Sequence, residues 1–148
     1  MVFLQVVGWD ILPGAKMTNF LMEEDSQLRM WAYDPDSFKS VGQDFELTVA
    51  GLHRASIILE CASDNECPMQ HFFVNCAYLI VGNLMSPSSY SLESERDVLA
   101  FLRQAEKTGN KHLLEFVWRA RYLIENPSEF DCDQWCGGVL ARKSFVND

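Results

Sequence analysis

The sequence is short of positive charge. Its 148 residues carry 12 Lys and Arg against 21 Asp and Glu, a formal net charge of −9. Phosphate contacts need Lys and Arg, so this balance argues against direct binding of nucleic acid or an anionic membrane. An unbroken apolar run of about 18 residues, which a membrane span needs, is also missing. The longest apolar stretch, Phe72 to Met85, is interrupted by Asn75, Gly82 and Asn83. No G-x-G-x-x-G and no G-x4-G-K-[ST] occurs, which removes two common phosphate-binding loops. The opening "MVFLQVVGWDILPG" has neither a basic start nor a complete apolar core ending in small residues, so no secretory signal is read there. The five cysteines are odd in number. Together with the missing signal, that count leads us to expect reduced thiols and a cytoplasmic location.

What is present suits one globular domain spanning 1–148, with hydrophobic residues at 48 %. Residues 1–42 are the least regular, an irregular segment in which short helices or extended pieces are expected, and 43–148 form a helical core. Near the N-terminus "VFLQVV" fits a short strand, and Asp34-Pro35-Asp36 fits a turn because proline pushes its predecessor out of helical space. Phe45, Val49, Leu52, Ile58, Leu59 and Ala62 fall near one face at three-and-four spacing. That predicts a helix of about 19 residues, capped by Asp44. Pro68 opens a second helix to Met85 that is apolar nearly all round, which marks a buried central helix, with a buried strand pair as the alternative reading of "FFVNCAYLIVG". Ser94, with Asp97 three residues on, starts a third helix. Its Val98, Leu99, Phe101, Leu102 and Ala105 point inward. Gly109 closes that helix and Asn110 caps the next, Lys111 to Glu125, giving an antiparallel αα-hairpin across "TGN". On this last helix Leu113, Leu114, Val117, Ala120, Tyr122 and Ile124 form a broad apolar side, and Trp118 is read as core. Asn126-Pro127 stops the helix. Ser128 opens a short final one through "EFDCDQWC", ended by Gly137-Gly138. The fold class is therefore mostly α: a single-domain helical bundle with an αα-hairpin, a buried central helix and a short N-terminal strand.

Few patterns carry chemistry. Zinc asks for four donors, usually in two close pairs. Cys67-x3-His71-x4-Cys76 offers three at one helix start and Cys132-x3-Cys136 two on one helical face, but no C-x-x-C or H-x3-H accompanies them. Buried thiols are the simpler reading, since a thiol in an apolar helix behaves as a small hydrophobe. Cys67 and His71 could face each other as nucleophile and base, yet no oxyanion loop adjoins them. Glu60, near the end of an apolar face, is the acid first in line to be buried, although a helix-end acid in contact with a base or water is the plainer reading. No catalytic residue, cofactor or metal is therefore expected.

Two features remain. Acids cluster at Glu23, Glu24 and Asp25, at Asp34 and Asp36, and at Glu129, Asp131 and Asp133. Trp135 sits among the last group. Its plain reading is an anchor that packs the final helix onto the body; its functional reading is a contact residue, since tryptophan is enriched at interface hot spots.

The run "CPMQHFFVNCAYLIVG", then "LAFLRQAEKTGNKHLLEFVWRARYLIENPSEFD", then "DQWCGGVLARK" resembles a group of small bacterial helical proteins of unassigned function over about Cys67 to Lys143. "NPSEFDCDQWCGG" is its most specific part. In size, acidity and helical make-up the chain also resembles bacterial toxin-immunity proteins, and equally phage-encoded inhibitors. That likeness implies a non-enzymatic cytosolic protein that neutralises a basic toxin by steric and electrostatic blocking. Glu23, Glu24, Asp25, Glu129, Asp131, Asp133 and Trp135 are the residues expected to meet the partner. The alternatives are a small metal- or thiol-dependent enzyme or regulator using Cys67, His71, Cys132 or Cys136, and a structural adaptor or oligomer subunit.

Overall fold

A computed structural model of the chain describes residues 24–40, 45–86, 93–132 and 134–135. The strand expected in "VFLQVV", the Asp44 cap, and the placements of Glu23, Asp133 and Cys136 lie outside them. The protein is mostly α. Among the described residues the helices are α1 (Asp25–Ala32), α2 (Phe45–Val49), α3 (Ala55–Ala62), α4 (Gln70–Met85), α5 (Glu95–Lys107) and α6 (Lys111–Glu125), with 3-10 turns at Ser37–Ser40, Leu52–Arg54 and Pro127–Glu129.

α4 is the axis of the bundle, and α2, α3, α5 and α6 all pack on it. Phe72, Phe73, Val74, Cys76, Ala77, Tyr78, Leu79, Ile80 and Val81 are buried in succession, so this helix meets protein on every side. Two aromatic groups fill the space around it. Trp31 of α1 stands edge-on to Phe45, Phe72 and Phe73 at 5.4, 5.0 and 6.2 Å between centroids. Further along α4, Tyr78 meets Phe116 at 5.0 Å and Trp135 at 4.7 Å. Offset and edge-on pairs of this kind add about 0.5–1.5 kcal/mol each beyond area burial.

The hairpin forms as its local chemistry dictates. Ser94 Oγ accepts the Asp97 amide at 3.1 Å and starts α5. Gly109 takes φ 71, the left-handed region a residue without Cβ enters freely, and turns the chain. Asn110 Oδ1 then accepts the His112 and Leu113 amides at 2.9 and 3.4 Å, capping α6.

Two expectations are corrected and two are made sharper. The helix of about 19 residues is two, α2 and α3, divided by an extended Gly51 and a 3-10 turn; glycine is a poor helix former and here it ends α2. Residues 25–32, in the stretch where short helices or extended pieces are expected, form the helix α1, whose Leu28, Trp31 and Ala32 enter the core. The final short helix starts later than expected: Pro127–Glu129 form a 3-10 turn, Phe130 is extended, and a helical turn follows in which the Trp135 amide donates to the Asp131 carbonyl at 2.8 Å. Phe130 is partly buried against the core. Glu60 is exposed. Arg29 of α1 holds it through two charge-assisted hydrogen bonds of 2.7 and 2.9 Å, which keep its carboxyl below the ordinary value. The arginine lies 31 residues away, so nothing local revealed it.

Candidate interaction face

α6 carries two apolar stripes. Leu113, Phe116, Val117 and Ala120 are buried against α4 and α5. Leu114, Trp118 and Tyr122 are four residues apart, so they line up on another side of the same helix. They are 41, 72 and 47 % exposed. Trp118 is therefore not core, which corrects the sequence reading, and the broad apolar side is really an inner and an outer stripe. The signal was present in the sequence. At about 100° per residue, Trp118 falls roughly 140° round the helix from Leu113.

Trp118, Arg119, Tyr122 and Leu123 line a groove whose far wall is Trp135. Trp135 is 8 % exposed, its ring lies on Tyr78, and its indole N–H donates to the Tyr78 carbonyl at 2.8 Å. Only its edge reaches the groove. It packs the chain after α6 onto α4, which is its plain reading as an anchor.

Charge around the groove is uneven. On α6, Arg119 pairs with Glu115, and Arg121 with Glu106 of α5. Those cations are offset where they stand. Glu125, Glu129 and Asp131 are exposed and gather at the C-terminal end of α6, where unsatisfied carbonyls already make the helix end partly negative. Tyr122 donates its hydroxyl to both Glu129 oxygens at 2.8 Å. That bond raises the phenol pKa and fixes a carboxylate beside the aromatic stripe.

The expected site residues separate. Glu129 and Asp131 lie at this groove. Glu24 and Asp25 are exposed at the start of α1, which packs on α3. The Glu24 carbonyl accepts the Gln27 and Leu28 amides there, a helix-start role.

The thiol and metal candidates also separate. Cys67 is buried and its Sγ donates to the Ala32 carbonyl at 3.5 Å. His71 stands edge-on to His112 of α6 at 5.2 Å. Cys76 is buried, 4.0 Å from the Glu46 carbonyl, and burial pushes its thiol pKa well up. Cys132 is exposed. Among the described residues no three His, Cys, Asp or Glu side chains come together as metal donors, and no helix is long and apolar enough to cross a membrane. Comparisons with protein-family models, curated proteins and solved structures returned no match.

Proposed function

We propose that this chain is a non-enzymatic binding protein that holds a basic protein partner on the outer face of α6, in the manner of an immunity or inhibitor protein. The observation that carries the reading is Trp118, a 72 % exposed tryptophan inside a row of apolar side chains, with Glu125, Glu129 and Asp131 at one end. Tryptophan and tyrosine supply large contact area at low entropic cost, and buried aromatic anchors dominate binding energy. The carboxylates, backed by the net charge of −9, attract Lys and Arg over distance and pair with them at the rim. Cations reaching over Trp118 also gain from its ring face, by about 0.5–2 kcal/mol. The partner is thus a protein with basic residues bordering an apolar patch. Blocking is steric and electrostatic, with no chemical step.

The test uses the purified chain and any basic protein whose gene is found next to its own. Trp118→Ala is expected to weaken binding by roughly 30-fold or more, the hot-spot range. Raising salt from about 0.05 to 0.5 M is expected to slow association roughly ten-fold, as charge steering is screened. Unchanged affinity in Trp118→Ala would sink the proposal. Two rival occupants are read without a partner. Sedimentation that finds a Trp118-dependent dimer assigns the face to a second copy. Acrylamide quenching of Trp118 that rises when residues 136–148 are removed assigns it to that segment.

A further inference from the structure

The geometry points to a second site, independent of the outer face of α6: His71 of α4 and His112 of α6 hold a divalent transition-metal ion of the zinc class in the seam between the two helices, with Asn75 Oδ1 as third donor and water completing the shell. His71 and His112 meet edge-on, with ring centroids 5.2 Å apart and planes at 72°. Further along the seam Tyr78 meets Phe116 at 5.0 Å. α4 and α6 therefore run in the same direction here, and Asn75 lies between the two contacts. Residues four apart share a helix face, so Asn75 stands on the face of α4 that carries His71. Its Oδ1 is buried and accepts no hydrogen bond from any described residue. A buried acceptor in that state is costly, and a cation or a water on it removes the cost. His71, Asn75 and His112 are each only partly buried, which leaves an ion a way in from solvent.

The spacing of the two rings suits a shared ion. Imidazole binds zinc at about 2.0–2.1 Å and a ring nitrogen stands about 1.1 Å from its centroid, so two rings on one tetrahedral ion have centroids about 5 Å apart. The observed separation already matches. Rotation about histidine χ2 is soft, which lets each ring aim a nitrogen at a common point while both helices stay in place. A histidine that ligates through one nitrogen ordinarily hydrogen-bonds through the other, so further contacts of these rings are compatible with the role. The donor set selects the ion. Two imidazoles and one neutral oxygen suit zinc, copper and nickel, whereas calcium and magnesium want oxygen donors. His112 also stands in the first turn of α6, at the positive helix end, so the ion must be one that imidazole binds strongly. The sequence offered His71 together with Cys67 and Cys76, but those thiols turn to the Ala32 carbonyl of α1 and the Glu46 carbonyl of α2. The partner ligand comes from α6 instead. Once bound, the ion ties α4 to α6 and stabilises the folded chain by mass action.

The experiment adds zinc chloride to the reduced, 15N-labelled full chain at about pH 7.5, where imidazole is mostly neutral, and follows the ring nitrogens by NMR. The chain has three histidines, and the third, His53, is exposed and reports adventitious binding. One equivalent of zinc is expected to move one ring nitrogen of His71 and one of His112, to leave His53 in place, and to raise the melting temperature. By calorimetry His112→Gln is expected to bind at least about ten-fold more weakly, since even an outer-shell partner is worth roughly 10–100-fold. Asn75→Asp, which exchanges a neutral oxygen for a carboxylate, is expected to bind more tightly, and Cys132→Ser to bind as wild type does. The assignment is overturned if zinc leaves both rings unmoved, moves all three histidines alike, or binds His112→Gln as tightly as wild type. Loss of binding in Cys132→Ser would give the ion to thiols instead, and unchanged affinity in Asn75→Asp would strike Asn75 from the site. The wild-type spectrum decides the main point without any variant having to fold.

Discussion

Replacing each of two tryptophans by alanine should separate them sharply. Trp135 hides most of its surface against Tyr78 and neighbours, and its indole donates a 2.8 Å hydrogen bond to a buried carbonyl. A buried aromatic of this size covers roughly 150–250 Å². At about 25 cal/mol per Å² that is roughly 4–6 kcal/mol of transfer free energy. Alanine keeps part of it, while the cavity left behind adds cost. Trp135→Ala is therefore expected to destabilise by about 3–5 kcal/mol. In a chain of this length the melting temperature would fall by roughly 10 °C. Trp118, at 72 % exposure, gives up little on truncation, and Trp118→Ala should stay within about 0.5 kcal/mol of wild type. Urea unfolding followed by circular dichroism measures both. A Trp118→Ala cost above about 1.5 kcal/mol would mean the ring is covered in the free protein. The outer stripe would then not be a free face, and the proposed binding role would lose its basis.

Two more outcomes can be checked. Asn110→Ala removes the α6 cap together with the side-chain links to Ser63 and Asn65; the expected loss is about 2–3 kcal/mol by denaturant unfolding, combining a cap of about 1 with buried polar groups left without partners. Asn110→Asp keeps the accepting oxygen and should recover roughly the capping part. Arg29 holds the folded Glu60 carboxyl below its ordinary value, so its stabilisation is full above that value and disappears as pH falls through the lower, folded one. Glu60→Gln should narrow the stability difference between about pH 6 and pH 2, by under about 1 kcal/mol because the bridge is exposed.

The parts legible in the sequence share a physical origin. Ser94, Gly109 and Asn110 act on amides two or three residues away or on their own backbone, so their effect is written locally. The central helix was equally plain, since α4 is apolar on every face and only complete enclosure suits such a helix. Where reading failed, the missing fact was a distant neighbour. Gly51 divides α2 from α3 within a run whose apolar spacing alone looked continuous. Glu60 is an acid near an apolar face until Arg29 arrives from α1. Trp118 reads as core for the same reason: side-chain type says that it can be buried, and only the approach of another element says whether it is.

Composition and pattern by themselves determined a helical chain of strong negative charge, its hairpin, and the helix that must lie at the centre. Those follow from propensity, capping and periodicity, which operate within a few residues. The tertiary structure decided which faces remain open and which side chains meet. It left Leu114, Trp118 and Tyr122 outside because no described element packs over them. Contacts between distant segments set burial, and a sequence fixes those contacts only through the whole fold.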